Sequence, residues 1–244
     1  MFCIFASFVL QLEKWIADLP ICDIIIKMEK DSAKLQLDIL DKKRLALLPI
    51  LKFLREVGFY LAGGTALALY IGHRVSIDFD FYTPKGFDSR KILRKFEKSE
   101  ITINLIQTQE DTLIFKANGI EVSLFTYPYR LVMPLTKAEY LDIASLEDIA
   151  AMKVVAIIQR GIRRDFIDLY FLIKLLGLKK IFRACEKKYP LFNKYLALQA
   201  LIYYDDADKA ASEQNLAMLK RVSWEETKKF IIASVKEFKD TIKK

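Results

Sequence analysis

The stretch that decides the fold is Ala62-Gly63-Gly64-Thr65-Ala66-Leu67, followed by His73-Arg74-Val75-Ser76-Ile77-Asp78-Phe79-Asp80-Phe81. Two glycines precede an apolar run that predicts a helix over 65–71, and a short strand is predicted over 75–82. Side chains alternate between the two faces of a strand, so Ser76, Asp78 and Asp80 are predicted to share one face. The apolar residues between them can then enter a core.

The two aspartates are the first candidate site. A pair of carboxylates suits Mg²⁺, which takes one or two protein carboxylates together with substrate phosphates. Two like charges on one strand face repel each other, and a bound cation removes that cost. Asp78 and Asp80 are therefore predicted to hold a metal that neutralises nucleotide phosphates during in-line transfer. The alternative is an exposed strand face with two solvated acids.

The glycine pair has two interpretations. Because Gly63 and Gly64 lack side chains, backbone N–H groups at the helix N-terminus can approach a triphosphate closely. The structural alternative is a tight turn from strand to helix. Arg74 is a candidate phosphate clamp or a structural partner of Asp78 or Asp80, and Ser76 shares the carboxylate face. His73, the only histidine, is assigned no catalytic role, and the loop rim is one position open to it.

A second polar block lies in the helical half of the chain. Lys153 and Arg160 are seven residues apart and share a helix face, and Asp165 and Asp168 share a face of the next predicted helix. A short connection at Gly161-Ile162 lets the two helices fold back on each other, so Lys153 can meet Asp168. A lysine suits a triphosphate, and an aspartate could accept the proton of an attacking hydroxyl. The alternative is a salt bridge between helices without chemistry.

The remaining pattern predicts a mixed sheet with flanking helices, followed by a helical region. Predicted helices cover 32–57 (interrupted near Pro49), 88–98, 145–160, 164–176, 179–204 and 223–242, and predicted strands cover 59–62, 101–107, 112–117 and 120–127. Asn118-Gly119 predicts a hairpin, Pro128 and Pro134 are expected to end the sheet, and 205–215 is expected to be a loop. The predicted division is an N-terminal extension over 1–44, a core over 45–135 and a helical domain over 136–244. Met28 is an alternative start.

Composition limits the partners and the compartment. The chain carries a net charge of +8, of which residues 136–244 contribute +6 and residues 1–135 contribute +2. A basic helical half favours an anionic partner such as RNA or a nucleotide, although basic surfaces also serve solubility. Three cysteines lie far apart, a pattern that supports neither a disulfide framework nor a zinc site and favours the reducing cytoplasm. No apolar run is long enough to predict a membrane span.

These motifs resemble a known family. Gly-Gly-Thr, a helix and then Arg-x-Ser-x-Asp-x-Asp is similar to the nucleotidyltransferase superfamily with a DNA polymerase β-like core. More narrowly, residues 63–81 resemble the AbiEii/AbiGii-type toxin nucleotidyltransferases, and the block over 148–170 supports this. The resemblance implies an α+β fold with a polymerase β-like core before a helical domain. It also implies a cytoplasmic enzyme that moves a nucleoside monophosphate from an NTP to an acceptor and uses Mg²⁺ or Mn²⁺.

The resemblance further implies partners and site residues. The implied partners are the NTP, an RNA acceptor such as the tRNA acceptor end, and an antitoxin protein encoded nearby. By residue match, Lys153 and Asp168 act with Asp78 and Asp80, and Asp165 and Arg160 are further candidates. The implied nucleotide-binding residues are Gly63, Gly64, Thr65, Arg74, Ser76 and Lys153.

One position departs from the superfamily pattern. A third carboxylate is usual on a neighbouring strand, but the position that aligns with it here is Ser123, and Glu121 lies on the same face one pleat away. Two alternative functions stay open. One is nucleotidyl transfer to a small molecule or a protein, and the other is a nucleotide- or RNA-binding module without activity.

Overall fold

The computed structural model describes residues 35–97, 99, 101–209 and 216–242. Most of the predicted N-terminal extension, the alternative start at Met28 and the end of the predicted loop over 205–215 lie outside these residues. Among the helices that are described, none combines the length and the apolar content that a membrane span requires.

A seven-stranded mixed sheet forms the centre of the fold. Its strands are β1 (Tyr60–Ala62), β2 (Phe79–Thr83), β3 (Ile103–Gln109), β4 (Thr112–Ala117), β5 (Ile120–Thr126), β6 (Thr136–Lys137) and β7 (Asp142–Ile143). Their spatial order is β3-β4-β5-β2-β1-β7-β6. β2 runs antiparallel to β1 and parallel to β5, and β1 runs parallel to β7. The predicted mixed sheet is thereby confirmed.

Helices surround this sheet. They are a 3₁₀ turn (Leu37–Ile39), α1 (Lys42–Leu51), α2 (Phe53–Glu56), α3 (Gly63–Ile71), α4 (Ser89–Glu97), α5 (Leu146–Gln159), α6 (Arg163–Leu176), α7 (Leu178–Lys188), α8 (Lys194–Ala200), α9 (Asp205–Lys209) and α10 (Trp224–Ile242). The side chain of Ser145 accepts a hydrogen bond from the backbone N–H of Asp148, which fixes the start of α5. Pro49 lies inside α1.

Three local predictions hold for identifiable reasons. Strand β1 is buried at every position, because the sheet continues on both of its sides. Helix α3 follows it directly and ends at Gly72, whose φ of 55° is the left-handed conformation that favours glycine. Asn118 and Gly119 have φ values of 49° and 83°, as a tight hairpin turn between β4 and β5 requires.

The strand that carries the acids is shorter than predicted. β2 begins at Phe79, so Asp78 lies just before the strand rather than within it. The preceding segment pairs instead with a distant part of the chain: the N–H of Val75 donates to the carbonyl of Ala217 (2.9 Å), and the N–H of Leu219 donates to the carbonyl of His73 (2.9 Å). These contacts hold residues 73–75 away from the sheet.

Other boundaries also differ from the prediction. Strands β6 and β7 extend the sheet past Pro134, where it was expected to end. The predicted helix over 179–204 is divided into α7 and α8, because Pro190 cannot continue a helix. Residues 205–209 form α9 instead of a loop.

Buried side chains of the sheet and of the helices form one hydrophobic core. β7 lies after position 136 and pairs with β1, so the sheet draws residues from both sides of the predicted domain boundary. The three-part division stays a prediction. The helical spacing of Tyr189, Tyr195, Tyr203 and Tyr204 predicts core positions for all four. Tyr189 and Tyr204 are buried, whereas Tyr195 and Tyr203 are 72% and 54% exposed, so the prediction is wrong for these two.

Candidate active site

A cleft of about 570 Å³ contains most of the predicted site. Its walls come from the start of α3, the segment from 74 to 82, strand β5 with its continuation, α5 and the start of α6. The sequence-predicted residues that line it are Gly63, Gly64, Arg74, Ser76, Asp78, Asp80, Glu121, Lys153 and Arg160. Thr65, Asp165 and Asp168 lie behind this surface.

Thr65 fixes the segment that carries the acids. Its hydroxyl is 2.9 Å from the Ser76 hydroxyl and hydrogen-bonds to the carbonyl oxygen of Asp78. The side chain of Arg44 donates to the carbonyl of Ile77 at 2.8 Å. Thr65 is buried, so these hydrogen bonds anchor the segment that precedes β2 to the interior of the protein.

Asp80 faces the cleft beside Gly63. Gly63 has φ 70°, and a Cβ at this position would lie 2.9 Å from Oδ2 of Asp80, so the glycine admits the carboxylate. Burial raises the pKa of Asp80, the charge of Lys153 opposes the rise, and Asp78 adds to it. Within the described residues, neither Asp78 nor Asp80 forms an ion pair. A bound cation would therefore reduce the repulsion between the two carboxylates.

Gly64 serves a different neighbour. A Cβ at Gly64 would lie 2.2 Å from Nη2 of Arg74, so only a glycine leaves room for this guanidinium at the edge of the cleft. Arg74 pairs with neither Asp78 nor Asp80. Its Nε and Nη2 donate to the two carboxylate oxygens of Asp168 at 2.8 and 3.0 Å. This bidentate pair fixes the direction of the guanidinium.

Asp168 is the centre of a buried ionic network. Its carboxylate has no exposed surface and also accepts from Nε2 of His73 (2.7 Å) and from Nζ of Lys153 (2.7 Å). Burial alone would raise the pKa of Asp168, but Lys153 and Arg74 hold it well below its usual range. Asp168 is therefore ionised and fully occupied by donors, which makes it a poor acceptor for the proton of an attacking hydroxyl.

Asp165 extends the network toward the solvent. Nζ of Lys153 lies 2.9 Å from Oδ1, and the Arg160 guanidinium donates to both oxygens at 2.8 and 3.1 Å. Although burial opposes it, Lys153 and Arg160 lower the pKa of Asp165. The predicted meeting of Lys153 with Asp168 is confirmed as an ion pair between α5 and α6, and Lys153 also pairs with Asp165.

His73 does not lie at a loop rim. Its ring is buried, packs on Phe171 with 5.1 Å between ring centroids, and contacts Asp168. Burial lowers the pKa of His73, so the ring is neutral near pH 7 and donates from Nε2 to the carboxylate. Nδ1 has no hydrogen-bond partner in the described part of the chain.

The residue opposite Asp80 on the neighbouring strand is a serine. Ser123 pairs with Asp80 in the β2–β5 register and is buried. Glu121 lies two residues earlier and lines the cleft. No group of three or more histidine, cysteine, aspartate or glutamate side chains that could bind a metal exists among the described residues. Any metal here would rely on the aspartate pair and on ligands from the substrate.

Two groups of residues that line the cleft were not predicted from the sequence. One is a set of aromatic side chains on β2 and β5 and just after β5, namely Tyr82, Phe125, Tyr127 and Tyr129. Their alternate spacing, in step with Asp80 and Glu121, was the available signal. The other part is Leu216 and Ala217, for which the sequence held no signal, because their position depends on a long-range backbone pairing.

A mixed sheet with a glycine turn and an aspartate pair beside a cationic cleft is the arrangement expected of a nucleotidyltransferase. One solved structure supports this fold. The crystal structure of JHP933 from Helicobacter pylori is similar with a TM-score of 0.52 and 20% identity, over 80% of this chain and 89% of that one. MenT4, a nucleotidyltransferase toxin of Mycobacterium tuberculosis, is similar with a TM-score of 0.48 and 16% identity, over 79% of this chain and 84% of that one.

Sequence comparison identifies the family. The model for the family described as "Nucleotidyl transferase AbiEii toxin, Type IV TA system" matches residues 52–142 and 128–243. An uncharacterized protein of Aquifex aeolicus is 41% identical over 186 residues, which are 74% of this chain and 87% of that protein. The chain belongs to the AbiEii toxin family and is a toxin-type nucleotidyltransferase.

Proposed function

We propose that the chain transfers a nucleoside monophosphate from an NTP to an RNA acceptor, with a divalent cation bound by Asp78 and Asp80. The observation that supports the proposal most directly is the state of this pair. Both carboxylates border the cleft and form no ion pair with any residue that the structure describes, and the pKa of Asp80 is raised.

The donor set fits magnesium or manganese. Hard divalent cations prefer carboxylate oxygens, and Mg²⁺ completes its shell with waters and substrate phosphates. Gly63 leaves the space beside the Asp80 carboxylate free of a side chain. A divalent cation bound there would neutralise charge on the phosphates and favour in-line displacement.

The start of α3 is suited to the triphosphate. Its N-cap residue, Ala62, supplies no side-chain hydrogen bond, so the first N–H groups of the helix have no side-chain cap at that position. Gly63 and Gly64 line the cleft at the same helix end. Anions are stabilised at such a helix end by the backbone donors and the helix dipole.

The ionic network supplies positive charge to the same cleft. Arg74, Lys153 and Arg160 surround Asp165 and Asp168, which leaves one positive charge in excess. We assign Asp168 and Asp165 to the positioning of these cations, instead of proton transfer. We likewise assign Thr65 to holding the segment before β2 and Ser76 to the cleft wall, where its hydroxyl meets that of Thr65.

An RNA acceptor and an antitoxin partner are the finer parts of the proposal. The excess positive charge of residues 136–244 favours a polyanion, and the family is one of toxin–antitoxin systems. Arg164 lines the cleft near Arg160 and is exposed to solvent, so it adds to the positive charge at the surface of the cleft.

The test uses each of the four NTPs labelled at the α-phosphate, with magnesium and total cellular RNA. We expect label in RNA with the wild type and with Asp240→Asn, an exposed control on α10, but not with Asp80→Asn. Label only in protein or small molecules would overturn the RNA acceptor. NTP binding without release of pyrophosphate for any acceptor would overturn enzymatic transfer.

The toxin role has its own readout. Expression of the wild type should arrest growth, and expression of Asp80→Asn should not. Co-expression of the gene adjacent to this one should relieve the arrest if it encodes the antitoxin. Arrest that persists in Asp80→Asn would contradict a catalytic origin.

A further inference from the structure

Beyond the two acids, the cleft-facing side of the sheet becomes aromatic. Asp80 pairs with Ser123 in the parallel register of β2 and β5, and two residues later Tyr82 pairs with Phe125. Their ring centroids are 5.4 Å apart, and the ring of Tyr127 follows 5.5 Å from that of Tyr82. With Tyr129, these residues form an aromatic wall next to the aspartate pair.

The rings of this wall are held in place. The hydroxyl groups of Tyr127 and Tyr189 are 2.6 Å apart, and Tyr129 packs edge to face on both rings with centroids at 4.9 Å. Nζ of Lys188 lies 5.6 Å from the Tyr127 ring centroid and is itself bound to Asp148 at 2.7 Å. A wall fixed in this way loses little conformational freedom when it binds a flat ligand.

The wall differs from a core cluster in its exposure. All four rings line the cleft, and Tyr129 is 37% exposed. On the opposite face of β2, Phe79 and Phe81 are fully buried at 0% and 2%. The same strand thus has one aromatic face inside the core and one that borders an open cleft.

The distance from the acids is suitable for a nucleotide. A strand rises about 3.3 Å per residue, so Tyr82 follows Asp80 by roughly 7 Å along β2. In a nucleotide, a ribose separates the base from the phosphates by a spacing of the same order. A phosphate near Asp80 would place its base along the wall.

We propose that Tyr82, Phe125, Tyr127 and Tyr129 form a nucleobase-binding wall, an inference that rests on the proposed function of the cleft. Every base has a π-face, and stacking on aromatic side chains gives affinity with little base specificity. The base belongs either to the incoming NTP or to the terminal nucleotide of the acceptor. The wall thereby supplies binding energy that the acids and the cations do not provide.

The experiment separates base contacts from phosphate contacts. Calorimetry measures the binding of an NTP and of inorganic tripolyphosphate to the wild type, Tyr129→Leu and Tyr129→Phe, with magnesium present. We expect Tyr129→Leu to weaken NTP binding on the order of ten-fold and to leave tripolyphosphate binding unchanged. Tyr129→Phe should retain the wild-type affinity. Tyr203→Leu, which removes an exposed tyrosine outside the cleft, is the matched control.

A second measurement assigns the base. If NTP binding is unchanged in Tyr129→Leu but the KM for an acceptor oligonucleotide rises on the order of ten-fold, the wall holds the acceptor base. If neither quantity changes, or if NTP and tripolyphosphate weaken equally, the wall has only a structural role and the inference is overturned. A wild type that binds neither ligand would refute the proposed function, and the wall with it. A wild type that binds both ligands equally well, with an unchanged acceptor KM in the variant, would refute the wall alone.

Discussion

Two pairs of aspartates lie within one small region and differ in almost every physical respect. Asp78 and Asp80 border the cleft and have no ion-pair partner in the described part of the chain, and the pKa of Asp80 is raised. Asp165 and Asp168 have no exposed surface, contact Arg74, Lys153 and Arg160, and have lowered pKa values.

The contrast shows how to tell a binding acid from a structural one. A buried carboxylate surrounded by donors is satisfied and holds its neighbours in place. Two carboxylates that repel each other beside a cleft are stabilised by a bound cation, which makes them candidates for a binding site. The chain spacing of the two pairs is nearly the same, so the difference comes from the cations that each pair meets.

The largest effect is expected from Asp168→Asn. The change removes the charge that Arg74 and Lys153 share in a fully buried setting, and a broken buried pair costs about 3–5 kcal/mol. Urea unfolding measures the loss, with Asp240→Asn as an exposed control that should change stability by less than about 0.5 kcal/mol. A loss below about 1 kcal/mol would show that the network is not what holds α5 and α6 to residues 73–74.

Asp80→Asn should lower activity strongly and leave stability almost unchanged. We expect transfer activity to fall about 10³-fold, because several kcal/mol of metal-assisted stabilisation are lost. The free energy of unfolding should stay the same or rise slightly, since the variant removes a buried charge with a raised pKa. A clear loss of stability in Asp80→Asn would show that Asp80 has a structural role, as Asp165 and Asp168 have, and would contradict the difference between the two pairs.

Gly63→Ala tests the space beside the acid. The new Cβ would lie 2.9 Å from Oδ2 of Asp80 at a residue with φ 70°, and such backbone strain costs about 1–3 kcal/mol. We expect lower stability by about this amount and at least ten-fold lower activity. Gly86→Ala is the control, because nothing lies within 4 Å of its added Cβ. Equal behaviour of the two variants would contradict a tight contact at Asp80.

The smallest effect is a pH dependence from the structural region. His73 is the only histidine, and burial lowers its pKa below the ordinary 6.5. As pH falls below about 6.5, the unfolded chain takes up a proton that the folded chain does not, so the free energy of unfolding should fall by up to about 1.4 kcal/mol per pH unit. Urea unfolding between pH 7.5 and 5.5 measures this slope. In His73→Gln the slope should be smaller, and an unchanged slope would exclude His73 as its cause.

Local signals account for what the sequence predicted. The glycine turn, helix α3, the Asn118-Gly119 hairpin and the meeting of Lys153 with Asp165 and Asp168 all depend on neighbours within about fifteen residues. Such contacts follow from strand and helix periodicity and from turn chemistry.

Long-range contacts account for what it missed. The partner of Arg74 is Asp168, 94 residues away, and no local pattern could choose it over Asp78 or Asp80. The late start of β2, at Phe79, likewise depends on the pairing of Val75 with Ala217. The burial of His73 and the open face of the aromatic wall are set by the packing of the helical half on the sheet.

The pairing of residues 73–75 with residues 217–220 has a practical consequence for dissecting this enzyme. His73 accepts backbone hydrogen bonds from Leu219 and Lys220, and Arg74 forms a bridge with Met218. A protein truncated after α9 would lose these anchors and leave the N–H of Val75 unpaired beside the acids. Residues 217–220 therefore anchor the segment that precedes the acids, and the sheet is not expected to work as a detached catalytic module.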